Sequence, residues 1–243
     1  MGPQDLLNLC VHDIGNRRLS FEEFAHIAGS LGALWTYDYE TAASGRVGMH
    51  AKLKSELHSN MFFVSKILLK PENILQIMAA QVALRIRWGL STFATGTPDY
   101  IVGVPDGATR LGEEIGKILG IPTIRMAKID GRIVLETPIE TGKSILLVED
   151  FCTRGTGFIE AVRAVLLAQP AARIIPFDPV MLNRGGLKSL CIDNIGDFGI
   201  VPVVEWKAWD CPEETCPLCA NGSTPIKPKE TEENWRLLTT SQL

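Results

Sequence analysis

The clearest pattern in the chain is Ile145-Leu146-Leu147-Val148, an unbroken apolar run closed by two acids and a glycine-rich stretch. A run that short, bounded by polar turn residues, predicts a buried strand of a parallel sheet. Beyond it Phe158, Val162, Val165 and Leu166 recur at helical spacing. The same order appears upstream. Tyr100–Val104 predicts a strand, and Leu111, Ile115, Ile118 and Leu119 mark the apolar side of a following helix. A long helix is predicted over Glu72–Trp88, with Ile74, Ile77, Met78, Val82 and Ile86 buried. Pro122–Met126 is strand-like, Arg173–Leu182 reads as a strand broken by Pro176 and Pro179, and Ile200–Val204 supplies a last strand. Near the start, Asp5–Arg17 is short and amphipathic. Ser20-Phe21-Glu22-Glu23 has the form of a capping box, Ser first and Glu three later, opening a helix to about Leu31. Leu34–Tyr39 is rich in aromatics and is read as a packed hinge before the core. Strands alternating with helices predict an α/β fold with a central parallel sheet.

Composition narrows the picture. The chain has 243 residues, 46% of them hydrophobic and 21% charged, ordinary values for a soluble globular protein. A formal net charge of −4 argues against a nucleic-acid partner. No apolar run reaches membrane-spanning length, and the start Met1-Gly2-Pro3-Gln4-Asp5 lacks the basic and apolar regions of a secretory leader. Six cysteines in a chain of this size do not imply a disulfide scaffold, so a cytoplasmic location is expected.

The candidate chemistry follows the two strands. After Val148 come the carboxylates Glu149 and Asp150, then Thr153-Arg154-Gly155-Thr156-Gly157. Backbone N–H groups in a glycine-rich turn and at a helix start point outward unpaired, and with the helix dipole they favour a bound phosphate. The threonine hydroxyls add donors. Carboxylates suit the opposite task, accepting hydrogen bonds from sugar hydroxyls or holding Mg²⁺ through oxygen. Phosphate at one end and a diol at the other describes a ribose 5-phosphate. The upstream strand is followed by Pro105-Asp106-Gly107-Ala108-Thr109, a second loop of the same kind.

These motifs resemble those of the type I phosphoribosyltransferases, and of orotate phosphoribosyltransferases in particular. Glu149, Asp150 and Thr153–Gly157 match the signature that binds phosphoribosyl pyrophosphate (PRPP), and Pro105–Thr109 matches the pyrophosphate loop. Lys52–Lys66 resembles the segment L-K-S-G-x-x-S-x-x-Y/F-F that approaches the base. By that match His58, Phe62 and Phe63 are base-binding, while Glu56 stands where the family has glycine. Arg125 matches an arginine that contacts pyrophosphate, Lys128 a catalytic lysine of a mobile loop, and Arg184 the arginine that recognises the carboxylate of orotate, with Asn183 replacing the acid before it. The resemblance implies a central parallel sheet flanked by helices, N-terminal helices and a small hood. It also implies transfer of 5-phosphoribosyl from PRPP to a nitrogenous base, with Mg²⁺ as cofactor and a homodimeric assembly.

Two segments stay open. Lys128–Glu136 reads either as a closing lid hinged at Gly131 or as a fixed hairpin, since Ile133, Val134 and Leu135 are strand formers. The lid pattern of the family is shortened here, which motivates an alternative, a PRPP-binding regulatory module without turnover. In the tail, Cys211, Cys216 and Cys219 form a candidate zinc set, but no second C-x-x-C or H-x-x-x-H completes it. The expected organisation is a helical extension over 1–48, the α/β domain over 49–210 and a cysteine-containing tail over 211–243, loose beyond Lys227.

Overall fold

The central apolar run forms a strand longer than its pattern marks, Ser144–Cys152, so Glu149 and Asp150 lie within the strand rather than after it. The computed structural model describes residues 3–243; Met1 and Gly2, read for a leader, lie outside them. The chain divides into two units that are not consecutive in sequence. Residues up to Phe24 join Leu68–Lys207 in one, and Ala25–Ile67 joins Ala208–Leu243 in the other. This division replaces the three successive segments expected above, because strand pairing links parts of the chain far apart in sequence.

In the first unit the sheet runs Ser189–Ile192, Gly196–Glu205, Phe177–Asn183, Ser144–Cys152, Tyr100–Gly103, with Arg173–Ile174 beside the start of the central strand. Every pairing is parallel except that of Ser189–Ile192 with Gly196–Glu205. The helices expected from periodicity are present as Glu72–Thr92, Thr109–Leu119 and Thr156–Ala168. Phe158, Ala161, Val162 and Val165 of the last are fully buried with Ile145, Leu147 and Val102 of the strands. Each such side chain contributes roughly 1.5–3 kcal/mol by leaving water. The capping box is also present: Glu23 N–H donates to Ser20 Oγ at 3.2 Å, and Ser20 N–H donates to Glu23 Oε2 at 2.8 Å. The strand predicted over 122–126 is only a bridge, Ile101 to Thr123. Met126–Ile129 instead pairs with Arg132–Leu135 as an antiparallel hairpin. Asp130 and Gly131, at φ 49° and 79°, make its two-residue turn.

The second unit is built by residues 25–67 pairing with the C-terminal segment 208–243. Thr224–Ile226 pairs with Met49–Lys52, which pairs with His58–Ser59, which pairs with Asp210–Cys211. The segment expected to be a hinge forms the strand Leu34–Thr36 paired with Met61–Phe63, and Trp35 and Tyr37 are buried in this unit's core. The tail is not loose: helix Glu232–Thr240 buries Leu238 fully, and Trp235 lies against Phe62 with ring centroids 5.9 Å apart. Among the described residues no helix is long and apolar enough to cross a membrane.

Candidate active site

The site assembles where two neighbouring parallel strands end. Gly103 is in register with Val148, so the loop after Gly103 and the Asp150–Gly155 segment leave the same edge of the sheet side by side. Ligands of open α/β sheets bind at the carboxyl ends of the strands. The two loops touch. A Cβ on Gly107 would fall on the Asp150 carboxylate, so the upper loop, the one after Gly103, lies closer over that acid than any other residue would allow without displacing the side chain. Asp150 is half-buried, and its Oδ1 accepts the Phe151 N–H at 2.9 Å. Gly155 takes φ 68° and caps the Thr156–Ala168 helix, turning the chain so that the helix N-terminus faces the loop. Arg154 and Thr156 are exposed there, and Thr153 is half-exposed. The loop is backed by Gly185, whose Cβ would overlap the Thr153 carbonyl oxygen. The Pro105–Asp106 peptide of the upper loop is cis.

Glu149 is placed differently from its neighbour. It is buried, and its carboxylate faces Asp178 and Cys152, with ligand atoms of the three within 4.8 Å. It therefore does not share the open position of Asp150 expected from sequence, because successive residues of a strand point to opposite faces. Burial pushes the Glu149 carboxyl well up, and the Asp178 charge adds to that, while the Phe158 N–H partly offsets it. Burial likewise raises Asp178, to about 7. Among polar groups here, Glu149 Oε2 and both Asp178 oxygens accept no hydrogen bond. A pair of carboxyls so placed is stable only when protonated. Asp178 was missed in the sequence; its signal is a lone acid in an otherwise apolar strand, Phe177–Asn183. The sign of the pH effect follows. A raised carboxyl adds stability that is complete below about pH 4 and lost as pH rises through about 7. Asp178→Asn should flatten the melting temperature against pH across that window and gain up to about 4 kcal/mol at pH 8, an upper bound from roughly three pH units. A variant profile parallel to wild type in thermal melts would refute the buried pair.

The remaining expected residues are scattered more widely. Arg125 is largely exposed and paired with Glu113, Nη2 to Oε1 at 2.6 Å, a surface ion pair worth only about 0–1 kcal/mol and easily exchanged for a phosphate. Lys128 is exposed on the hairpin, opposite Ile133, whose N–H donates to Glu160 at 2.9 Å and ties the hairpin near its turn; the structure holds this segment as the hairpin alternative. Arg184 follows Phe177–Asn183, is buried, and its N–H donates to the Cys152 carbonyl at 2.8 Å. His58, Phe62 and Phe63 belong to the second unit. Phe63 is buried opposite Leu34, Phe62 meets Trp235, and His58 is wholly buried among His50 and Cys219 rather than open to a base. Glu56, at φ 64°, takes a left-handed backbone that favours glycine, and ties its carboxylate to Lys52 and Lys227. Of the candidate zinc set, Cys216 and Cys219 converge with His50 and His58; Cys211 lies against Cys216 on the strand beside His58 but is not part of that four-atom cluster.

No family sequence model matches the chain. Relatives do. An orotate phosphoribosyltransferase of Acidithiobacillus ferrooxidans is 29% identical over 184 residues, 74% of this chain and 87% of the relative. An orotate phosphoribosyltransferase of Chlorobium phaeobacteroides is 30% identical over 174 residues, 70% of this chain and 82% of the relative. The chain belongs to the orotate phosphoribosyltransferase family. A solved orotate phosphoribosyltransferase from Aeropyrum pernix superposes with a TM-score of 0.54 at 16% identity, over 74% of this chain and 93% of that one, which bears on the fold alone. The family's central parallel sheet and flanking helices are those described above.

Proposed function

We propose that the chain transfers 5-phosphoribosyl from PRPP to orotate and releases pyrophosphate. The observation that carries this reading is the contact of two loops at the ends of adjacent parallel strands, with the Asp150 carboxylate lying against Gly107. The Thr153–Gly157 loop offers N–H groups and hydroxyls to the 5′-phosphate, and Asp150 accepts hydrogen bonds from the ribose hydroxyls. The Pro105–Thr109 loop holds the pyrophosphate, and Arg125 joins it on leaving Glu113. The ribose C1 gains positive character as pyrophosphate departs, so these residues act by positioning and by electrostatics. The donor chemistry at the strand end fits a hard divalent cation. Mg²⁺ takes one or two carboxylates plus phosphate oxygens, which Asp150 and the substrate supply. When bound it offsets the charge of the leaving group.

Arg184 is assigned to the orotate carboxylate, since a planar guanidinium matches a carboxylate with two parallel hydrogen bonds. The reading extends to a homodimer in which the hairpin carrying Lys128 serves the neighbouring subunit. The half-exposed apolar Ile129 at its tip, 54% accessible, supports that role. A panel of bases offered with PRPP and Mg²⁺ tests the whole. Orotate should be consumed with release of pyrophosphate, and Arg184→Ala should raise KM for orotate about 10- to 100-fold while changing KM for PRPP little. Preference of the wild type for an uncharged base overturns the role of Arg184. Binding of PRPP without turnover of any base overturns the enzyme reading in favour of a regulatory module.

A further inference from the structure

The second unit contains a cluster that PRPP chemistry does not use. His50 and His58 lie on the neighbouring strands Met49–Lys52 and His58–Ser59; Cys216 and Cys219 begin and lie in the short helix Pro217–Ala220 of the tail. All four are buried or nearly so. His50 Nε2 is 3.0 Å from His58 Nδ1, and 3.6 Å from the sulfurs of both Cys216 and Cys219; Cys219 Sγ is 3.3 Å from His58 Nδ1.

Those separations are four of the six edges of a small tetrahedron, and the other two are under 4.8 Å. A tetrahedral zinc ion with ordinary Zn–N and Zn–S bonds spaces nitrogen from nitrogen by about 3.3 Å and nitrogen from sulfur by about 3.6 Å. Every measured edge lies within about 0.3 Å of those values. We propose that His50 Nε2, His58 Nδ1, Cys216 Sγ and Cys219 Sγ are the ligands of a structural Zn²⁺.

The outer partners support the same assignment. His50 Nδ1 is 3.0 Å from Ser223 Oγ, and that hydroxyl donates its only proton to the Gly48 carbonyl at 3.1 Å. Ser223 must then accept from His50 Nδ1–H, which leaves the Nε2 lone pair aimed into the cluster. On the other ring, His58 Nε2 makes no hydrogen bond but faces the Glu213 carboxylate at 3.8 Å, the carboxylate–histidine arrangement that orients a metal ligand. A proton on His58 Nδ1 would satisfy the His50 Nε2 lone pair alone, whereas one cation engages both ring nitrogens and both sulfurs at once. The Cys216-x-x-Cys219 spacing is half of a common zinc motif, and here the other half is two histidines on a hairpin. The set is closed, with four protein ligands and no position for substrate, which marks a structural site. Its effect is to join residues 50 and 58 to residues 216 and 219.

The test is the metal content of the full chain, expressed without a metal-chelating tag. Elemental analysis should find about one zinc per chain. Exchange for Co²⁺ should give the visible bands of a tetrahedral ion with thiolate charge transfer. Cys216→Ser and His50→Ala should each reduce retained metal at least about tenfold, and Cys191→Ser and Cys211→Ser should retain it. A chain free of zinc that gives no tetrahedral Co²⁺ spectrum overturns the proposal, and needs no variant that folds. Loss of metal in Cys211→Ser with retention in His50→Ala overturns this ligand set.

Discussion

Asp150→Asn should lower kcat/KM for PRPP about a hundredfold, close to 3 kcal/mol, while leaving the fold intact. The amide is the same size as the carboxylate, and its Oδ1 can still accept the Phe151 N–H. Asn therefore keeps the local geometry and removes the charge and one acceptor oxygen. What is lost is a preorganised acceptor at the mouth of the sheet, where the strand Ser144–Cys152 delivers it against Gly107. A loss of this size reflects a contact made in a partly dry site, where charge is poorly screened. Steady-state kinetics with PRPP varied and a thermal melt of the same sample check both halves. Unchanged kinetics in a folded Asp150→Asn variant would remove the central assignment of the site.

Gly185→Ala should be among the more damaging glycine-to-alanine substitutions. The residue's φ is not in the left-handed region, so the methyl costs nothing in backbone conformation. The obstacle is the Thr153 backbone, its carbonyl oxygen and Cα, which a Cβ would overlap. Backbone cannot rotate aside as a side chain can. The Gly185 N–H also donates to the Cys152 carbonyl at 3.2 Å, holding the two segments together. The phosphate loop must shift or the strand end must part from it. Overpacking of this kind costs about 1–3 kcal/mol, and misplacing a binding loop by about 1 Å can cost a hundredfold in rate. Melting temperature and KM for PRPP should both worsen. Gly29→Ala is the control: it lies in helix Phe21–Ser30 with nothing within 4 Å of the added methyl, and should gain stability by about 1 kcal/mol. A Gly185→Ala protein with the melting temperature and PRPP affinity of wild type would show that the loop is not braced there.

Much of the first unit was legible because its signals are local. The apolar run 145–148, the capping box at Ser20 and the helical spacing from Phe158 each follow from backbone geometry within a few residues. The order strand, acid, glycine loop, helix likewise places a phosphate site without any tertiary knowledge. The alternation of Glu149 and Asp150 across the strand was implicit in their adjacency. Their contrasting environments needed Phe177–Asn183 to be laid beside them, which brought Asp178 against Glu149.

The sequence by itself determined the helices, the main strands of the parallel sheet and the two loops that meet at its edge. Those depend on side-chain period and turn chemistry, which are properties of short segments. The tertiary structure alone decided that residues 25–67 and 208–243 form one unit, that His58 turns inward to His50, Cys216 and Cys219, and that the tail helix docks through Leu238. Each of these joins residues far apart in the chain, and nothing in the local pattern records a partner whose approach is settled only by burying apolar surface and pairing strand edges.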